Sequence, residues 1–430
     1  MINYNQISAK IQTKLKQNIY RYKSHLKLPE YKFLSDMIFG MLKGKHIHLA
    51  KISRTLLEEI TPQKTQERLS YHLSKQDFYK KLQNIYYETN RHKINRCHYL
   101  IFDGSDIIKE EAKTMEGLSL VRDGSRSGSN QKIILKNGYH WDNIIGVSSD
   151  GKELVPIYSE IYSGQLDADY AISENRKIIN VLKDLREQTK SEQILVVDRG
   201  GDRRVLLTEF IEDSQFFVIR QTGKRHLYYQ GRSMPLKEIS RKVILDKEYT
   251  VIRNHNKKTV KHLYHVGAVP VKLPTSCLKY EIDHLLWLVV VKEHGKGYSW
   301  FLCNLPTTDK VEAIDLMIKG YQYRWKVEEF HRQVKQDYHL EDIRYQKYES
   351  IKTIGSLLVF VIGFLSTLNK EFIKLVLFVT KLLEKNNFIN IPKYIFYRLT
   401  EGVRILLAGV HKSIPKKSKI GPQTILNLFP

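Results

Sequence analysis

The stretch ILVVDRGGD, residues 194–202, predicts a short buried strand that ends at an aspartate and runs into a glycine turn. Four apolar residues precede Asp198, and the run HYLIFD (98–103) leads in the same way into Asp103. Between these two runs, the segment from about Tyr170 to Leu185 has the apolar spacing of a helix. Strands that alternate with helices predict an α/β core with a partly parallel sheet.

The pattern on either side of this core divides the chain into further regions. The first 95 residues show apolar clusters between polar breaks, which predicts short helices that either bind DNA or form an ordinary bundle with a basic surface. Residues 222–305 give short strand signals, among them KVILD (242–246), and predict an all-β insertion. From Val311 to about Leu383 the pattern is helical again. The predicted regions are an N-terminal helical DNA-binding domain, an α/β core in two segments, the insertion and a helical C-terminal region, at 1–95, 96–221 with 306–348, 222–305 and 349–430.

The charge balance predicts a polyanionic partner. Lys and Arg total 70 against 46 Asp and Glu, which gives a formal net charge of +24. The first 95 residues alone hold 18 basic and 7 acidic side chains. A surplus of this size is typical of proteins that bind nucleic acid.

Cysteine usage and hydropathy favour a cytoplasmic protein. Three widely spaced cysteines without a CxxC pair argue against a disulfide framework and fit a reducing compartment: Cys97, Cys277 and Cys303. The first residues contain no apolar signal segment. The longest uncharged stretch, Thr353–Asn369, is too short for a spanning helix and contains Gly, Ser and Thr, so we expect a buried core helix and no membrane contact.

A third carboxylate lies on a predicted helix, YQYRWKVEEFHRQVKQDYHLED (321–342). At about 100° per residue, five of its polar residues share one face: Tyr321, Arg324, Glu328, Arg332 and Lys335. Active sites gather at the carboxyl ends of strands in open α/β sheets, and carboxylate oxygens suit Mg²⁺. Glu328 is therefore a candidate to complete a metal site with the two aspartates. The basic side chains Arg324, Arg332 and Lys335 are then expected to bind phosphates. The alternative is an ordinary solvated face with i,i+4 pairs such as Glu328–Arg332.

These motifs resemble a known family of bacterial enzymes. The spacing Y-x2-R-x3-E-x6-K, met here by Tyr321, Arg324, Glu328 and Lys335, resembles the signature of the insertion-sequence DDE transposases with a Y-R-E-K motif (insertion-sequence family four). DRGGD (198–202) and YLIFDGSD (99–106) resemble the family's second and first aspartate motifs, although the family often has Thr where this chain has Ser105. The resemblance extends from about Leu34 to Tyr348.

The resemblance implies a ribonuclease-H-like mixed sheet with an all-β insertion, and a DNA transposase. The implied catalytic residues are Asp103, Asp198 and Glu328, which hold two Mg²⁺ ions about 3.5–4 Å apart; Mn²⁺ is expected to substitute. The implied reaction nicks the transposon end, and the freed 3′-OH then attacks the opposite strand or target DNA, in a cut-and-paste pathway. The implied partner is double-stranded DNA, as terminal inverted repeats and target, bound by a homodimer.

The resemblance also implies DNA contacts outside the carboxylates. Trp300, in WFLCNLP, is similar to the family's insertion-domain tryptophan, on which a flipped base stacks. Arg220 ends the strand FVIR (217–220) and is expected to contact a phosphate. The remaining residues expected at the DNA are Tyr321, Arg324, Arg332, Lys335 and Arg199.

Several alternatives stay open at this point. Asp106 lies three residues after Asp103 and replaces it as ligand if the strand ends later; Asp103 is favoured because it directly ends the apolar run. Asp202 is expected to cap or support the turn. His46 and His48 lie in a basic apolar segment and do not predict a zinc site. Two other functions remain, an inactive transposase-derived DNA-binding protein and a ribonuclease-H-like nuclease that cuts without joining.

Overall fold

The first part of the protein is helical, as predicted. The computed structural model describes residues 4–124, 134–167, 174–189, 192–255, 258–274, 284–368, 370–384 and 395–410. Its first five helices are α1 (Tyr4–Tyr20), α2 (Leu28–Gly44), α3 (Leu49–Leu56), α4 (Pro62–Leu73) and α5 (Phe78–Ile94). The start of α4 shows why such boundaries are readable: the Thr61 hydroxyl accepts a hydrogen bond from the backbone N–H of Lys64, and Pro62 fills the first helical position.

A mixed sheet forms the centre of the fold. Its first strands are β1 (Tyr99–Ile108), β2 (Ser119–Arg122), β3 (Leu135–Val147) and β4 (Leu154–Tyr162). After helix α6 (Glu174–Thr189) come β5 (Ile194–Val197), helix α7 (Arg204–Glu212) and β6 (Phe217–Arg220). β3 is antiparallel to both β1 and β4, whereas β5 is parallel to β1 and β6. This order is consistent with a ribonuclease-H-like core and confirms the predicted α/β class.

β1 is longer than the sequence predicted. The strand does not end at Asp103 but continues to Ile108, because β3 keeps pairing with it as far as Ile108↔Gly138. Its pairing with β5 covers only residues 99–101. The expectation that Asp103 closes a strand is therefore wrong. Asp103 instead lies where β1 has lost its parallel neighbour, which leaves one edge of the strand open beside the end of β5.

Residues 222–305 extend the central sheet. They contain β7 (His226–Tyr229), β8 (Arg232–Pro235), helix α8 (Leu236–Lys242), β9 (Lys247–His255), β10 (Lys258–Val271), β11 (Leu286–Glu293) and β12 (Tyr298–Asn304). β12 pairs antiparallel with β6, and the sheet continues through β11 and β10 to β9.

The prediction of an all-β insertion is wrong in one place. KVILD (242–246) is the end of α8 and the coil after it, not a strand. The i,i+3 spacing of the buried Leu236 and Ile239 explains this helical turn, which follows Pro235 directly. Short apolar runs do not distinguish strand from helix by themselves.

The C-terminal part of the described chain consists of helices α9 (Lys310–Tyr323), α10 (Trp325–Asp337), α11 (Tyr348–Ser366), α12 (Lys370–Glu384) and α13 (Phe396–Ala408). α11 is long and apolar enough to cross a membrane, but 89% of its most apolar window is buried inside the protein. It packs closely on β4, since a Cβ added at Gly355 would lie 3.2 Å from the backbone nitrogen of Ile161. The expected buried core helix is confirmed. The KKSK cluster (416–419), Cys277, most of the loop DGSRSGSN (123–130) and residues 170–173 lie outside the described residues.

A buried ion network joins α11 to the sheet. The Nζ of Lys352 lies 3.1 Å from Glu160 Oε1 on β4 and 2.8 Å from Asp167 Oδ1. Lys177 on α6 adds a second ammonium group 2.9 Å from the same Glu160 oxygen. Burial alone would raise the pKa of Glu160, but the two lysines hold it below its usual value, and Asp167 behaves in the same way. The network therefore stabilises the fold only while these carboxyl groups are ionised.

We expect Lys352→Met to destabilise the protein by about 3–5 kcal/mol, because removing one partner leaves buried carboxylates without compensation. Urea unfolding at pH 7 measures the loss. Lys347→Met, which changes an exposed lysine at the start of the same helix, is the control and is expected to unfold like the wild type. Since the folded pKa values lie below the unfolded ones, the wild type loses this contribution as the pH falls below about 4, the ordinary carboxyl pKa, toward the lower folded values. The difference in free energy of unfolding between wild type and Lys352→Met should therefore become smaller at low pH. A difference that is already small at pH 7, or that does not change with pH, contradicts the prediction.

Candidate active site

Two aspartates lie at the end of the parallel strand pair. Asp103 is two residues beyond the last pairing of β1 with β5, Ile101↔Val196, and Asp198 directly follows β5. A short 3₁₀ turn (Arg199–Gly201) then carries the chain away from the sheet. The carboxyl edge of a parallel pair is where open α/β sheets bind ligands, so the fold brings together two acids that are 95 positions apart in the sequence.

The third carboxylate shares the electrostatic environment of Asp103. Burial raises the pKa of Asp103 to about 7, against the lowering effect of the Arg324 guanidinium. The negative charges of Glu328 and Asp198 raise it further. Strand and helix therefore gather three acids close enough to perturb one another.

Asp198 is held by hydrogen bonds on its exposed side. The Tyr321 hydroxyl donates to Asp198 Oδ1 at 3.0 Å, and Arg220 Nη1 lies 3.9 Å from the same oxygen. Arg220 also donates to the Tyr321 hydroxyl, at 3.3 Å. Burial works to raise the pKa of Asp198, but the backbone N–H of Arg199 and the charge of Arg324, together with Tyr321 and Arg220, lower it. Asp198 is consequently ionised at neutral pH, and the side chain of Arg199 is exposed beside it.

Arg324 provides the positive charge among these acids. Its Nη2 lies 2.5 Å from Glu328 Oε1. Burial opposes its charge, but Tyr321, Glu328 and Asp198 raise its pKa above the usual value. The guanidinium is thus the main counter-charge of the site.

The three carboxylates do not form a closed metal-binding group in this arrangement. Among the described residues, the set of His, Cys, Asp and Glu whose donor atoms all lie within 4.8 Å of one another is a different one: His46, His339 and Asp342. The three acids therefore share one electrostatic environment without all lying within 4.8 Å of one another, and Glu328 is paired with Arg324.

The predicted single helix over 321–342 is wrong, because the helix breaks at Arg324. α9 ends at Tyr323, α10 begins at Trp325, and the hydrogen bonds at the junction are of the tighter i→i+3 kind, Arg324 N–H to Tyr321 O and Val327 N–H to Arg324 O. Packing explains the break. The Tyr321 ring lies against Phe301 on β12, with centroids 4.6 Å apart, whereas α10 buries Phe330 and His331 against Trp141 on β3.

Farther along α10, the two remaining cations are engaged elsewhere. Arg332 is half-exposed and pairs with Glu329 at 2.7 Å, not with Glu328 as the helix spacing allowed. Lys335 donates to the backbone carbonyl of Asp106 at 2.8 Å and also pairs with Glu341. Lys335 thus ties α10 to the far end of β1, and neither side chain lies between the acids.

Asp106 has a different partner from Asp103. Its Oδ1 lies 3.1 Å from His140 Nδ1 on β3, although both aspartates line the same cavity of about 360 Å³. The charges of Asp198 and Glu328 act on Asp103. We therefore retain Asp103 as the first candidate ligand.

Trp300 lies outside the group of acids. It neighbours Phe301 on β12, and because successive strand residues point to opposite faces, Trp300 faces away from the side on which Phe301 meets Tyr321. Its ring packs on Gly223, where φ is +84° and an added Cβ would lie 2.6 Å from the ring. The indole Nε1 is buried and has no hydrogen-bond partner among the described residues. Base stacking on Trp300 stays a prediction.

Sequence reasoning missed two acids of this cavity, Asp142 and Glu174. Asp142 on β3 is buried, pairs with Gly104 and lines the cavity with Asp103 and Asp198. Burial raises its pKa to about 7, against the lowering effect of Lys177. The signal was the position of this aspartate within an otherwise apolar buried strand, WDNIIGV.

Asp202 fastens the loop that follows β6. Its carboxylate accepts hydrogen bonds from the backbone N–H and the hydroxyl of Thr222, at 2.8 and 2.7 Å. Arg225 donates from Nη2 to the other oxygen at 2.6 Å. The expected supporting role of Asp202 thus has a structural basis, since the loop it holds carries Gly223, against which Trp300 packs.

Comparison with known families agrees with this geometry. Residues 164–362 match a family model described as the transposase DDE domain. The matched segment is somewhat less than half of the chain; it includes Asp198 and Glu328, whereas Asp103 lies before it. No curated protein matches the chain. The match supports a DDE transposase in general terms, an enzyme class that generally uses divalent metal ions and acts on DNA.

We expect Asp202→Ala to destabilise the protein by about 3 kcal/mol, because it leaves the mostly buried Arg225 without its counter-charge and frees Thr222. Urea unfolding measures the loss, and tryptophan emission reports on the ring of Trp300. Asp246→Ala, which removes an exposed partner of Lys310, is the matched control with little expected effect. Equal unfolding midpoints for the two variants would contradict this role of Asp202.

Proposed function

We propose that this protein is a DNA transposase that cuts and joins transposon ends by two-metal-ion phosphoryl transfer. The strand nick comes first, and transesterification by the freed 3′-OH follows, in a cut-and-paste reaction. The observation that carries the proposal is the gathering of three carboxylates from distant segments around one guanidinium: Asp103, Asp198 and Glu328 around Arg324.

The donor set fits divalent metal ions. Three carboxylates offer the hard oxygen ligands that Mg²⁺ takes, with Mn²⁺ as a substitute. The pKa of Asp103 is raised to about 7, mainly by burial, and the charges of Glu328 and Asp198 act in the same direction against Arg324. Divalent cations would relieve the repulsion that Glu328 and Asp198 exert on Asp103. When bound, such ions neutralise charge on the phosphate and ease deprotonation of the attacking oxygen.

The surrounding side chains orient and hold the DNA in this proposal. Tyr321 holds one oxygen of Asp198 by a hydrogen bond, and the backbone N–H of Arg199 also contacts the carboxylate. Arg220 lies 3.9 Å from Asp198, and the exposed Arg199 follows Asp198 in the chain, so both are placed to offer a phosphate charge-assisted hydrogen bonds. Arg332 and Lys335 lie farther along α10 and contact the flanking phosphates.

The charge of the whole chain supports the same partner. A net charge of +24 opposes the repulsion between two DNA ends held close together, and binding is expected to weaken steeply with salt. We infer that the basic N-terminal helices bind the terminal inverted repeats. We also infer that the protein acts in the bacterial cytoplasm as a homodimer in which each subunit binds and cuts one transposon end.

Two alternatives differ from this proposal in chemistry. An inactive transposase-derived protein would bind transposon ends without Mg²⁺-dependent cleavage. A ribonuclease-H-like nuclease would cleave the DNA without joining it to a second DNA. The retention of all three carboxylates in one electrostatic environment favours an active enzyme.

We expect Glu328→Gln to reduce Mg²⁺-dependent nicking of DNA that carries the transposon ends by at least about 100-fold. Loss of an outer-shell partner of a metal already costs 10–100-fold, and Glu328 is proposed as a direct ligand. The measurement is gel analysis of 3′-OH product, with transfer to a second DNA followed in the same reaction.

Glu329→Gln is the matched control, because it makes the same change at the next position, where the carboxylate pairs with Arg332 instead. It should retain nicking. Equal activity of wild type and Glu328→Gln would remove Glu328 from the site. Wild-type nicking without any joined product would replace the transposase by a nuclease, and end binding without nicking would leave a DNA-binding protein.

A further inference from the structure

A second cluster of potential metal ligands combines a residue of the N-terminal helical region with two residues that follow α10. His46 belongs to the turn between α2 and α3, while His339 and Asp342 belong to the turn after α10. One donor atom from each residue lies within 4.8 Å of the other two. The imidazole rings of His46 and His339 stack with centroids 4.7 Å apart and planes inclined by 12°.

A backbone turn at His339 and an ion pair next to His46 bring these residues together. His339 takes a left-handed conformation, φ +56°, which ends α10 and turns the chain into the 3₁₀ turn Leu340–Asp342. Lys45, next to His46, pairs with Asp337 at the end of α10 at 2.9 Å. The contact between the N-terminal helices and the end of α10 therefore forms without a bound metal ion.

His46 is the buried member of this cluster, with the residue 5% exposed. The side chains of His339 and Asp342 lie at the surface. The cluster therefore combines one enclosed imidazole with two accessible donors.

We propose that His46, His339 and Asp342 form a binding site for a divalent transition metal such as Zn²⁺. Two imidazole nitrogens and one carboxylate oxygen are ligands that Zn²⁺ accepts, with a fourth position left for water. Mg²⁺ prefers oxygen ligands, so the site differs in chemistry from the three carboxylates around Arg324.

Small side-chain movements close the site. Tetrahedral Zn²⁺ with bonds of about 2.0–2.1 Å requires ligand atoms about 3.3 Å apart. The side chains of His339 and Asp342 are 47% and 56% exposed, which leaves them free to rotate toward the buried ring. His46 Nδ1 accepts a long hydrogen bond of 3.2 Å from the backbone N–H of His48, and coordination through either ring nitrogen gives up this one bond.

A metal ion bound at this site would link the N-terminal helices to the segment that follows α10. His46 belongs to the basic N-terminal helices, and the other two ligands follow the helix that begins near Glu328. A metal here restrains the end of α10 against the helices proposed to bind DNA. The assignment of this site rests on its own donor atoms and does not depend on the proposed function.

The test is Zn²⁺ binding by tag-free full-length protein in excess Mg²⁺, which fills the all-oxygen site. We expect wild type to bind one Zn²⁺ more than His339→Asn or Asp342→Asn, or to bind it at least about tenfold more tightly. Asn is chosen at 339 because it tolerates the left-handed backbone. Co²⁺ should give visible absorption typical of a nitrogen-containing site in wild type, and this absorption should be absent in both variants.

His265→Asn is the matched control, since it alters a partly exposed histidine that pairs with Glu248 in the sheet extension. It should bind Zn²⁺ as the wild type does. Both test residues are largely exposed, so their variants are expected to fold, and circular dichroism checks this. The same Zn²⁺ stoichiometry and affinity in wild type and both variants would overturn the site, whatever the outcome of the DNA-cutting experiments.

Discussion

Mutual repulsion of three carboxylates in a half-buried site is the constraint on which the rest of this structure depends. Burial and the neighbouring negative charges raise the pKa of Asp103 to about 7, against the lowering effects of Arg324 and of a hydrogen bond from the Gly104 backbone. Such a group of acids gathers only where rigid elements impose it. The parallel pairing of β1 with β5 imposes the first two, and packing of α10 on β3 imposes the third.

The scaffold behind the site is accordingly stiff. α11 lies buried against β4, close enough that Gly355 has no room for a side chain without displacing Ile161. Lys352 on the same helix neutralises Glu160 and Asp167 inside the protein. Buried ion pairs add little net stability, but they fix one packing arrangement because the alternatives leave a charge unpaired. The strand β4 that they anchor pairs with β3, which carries Asp142 and pairs with β1.

The sequence predicted those parts of the fold that local pattern controls. Apolar runs located β5 and β6, and helical spacing located the N-terminal helices and the buried α11. It failed where tertiary pairing decides: β1 continues past Asp103 because β3 continues beside it, and KVILD is not a strand although its composition suits one. The same limit applies to the site. Motif spacing brought Tyr321, Arg324 and Glu328 to one helix face, but the break at Arg324 and the approach of His339 to His46 are set by packing between distant segments.

The break at Arg324 is more than a correction to the helix boundaries. It places Tyr321, which holds Asp198, on α9 and Glu328 on α10, so the side chain that orients Asp198 and the third acid are carried by separate helices. Arg324 stands between them and pairs with Glu328 at 2.5 Å. A cation that draws the acids together must compete with this guanidinium, since both neutralise the same charge. Arg324 therefore compensates part of the charge of these acids through its pair with Glu328 and its attraction to Asp198.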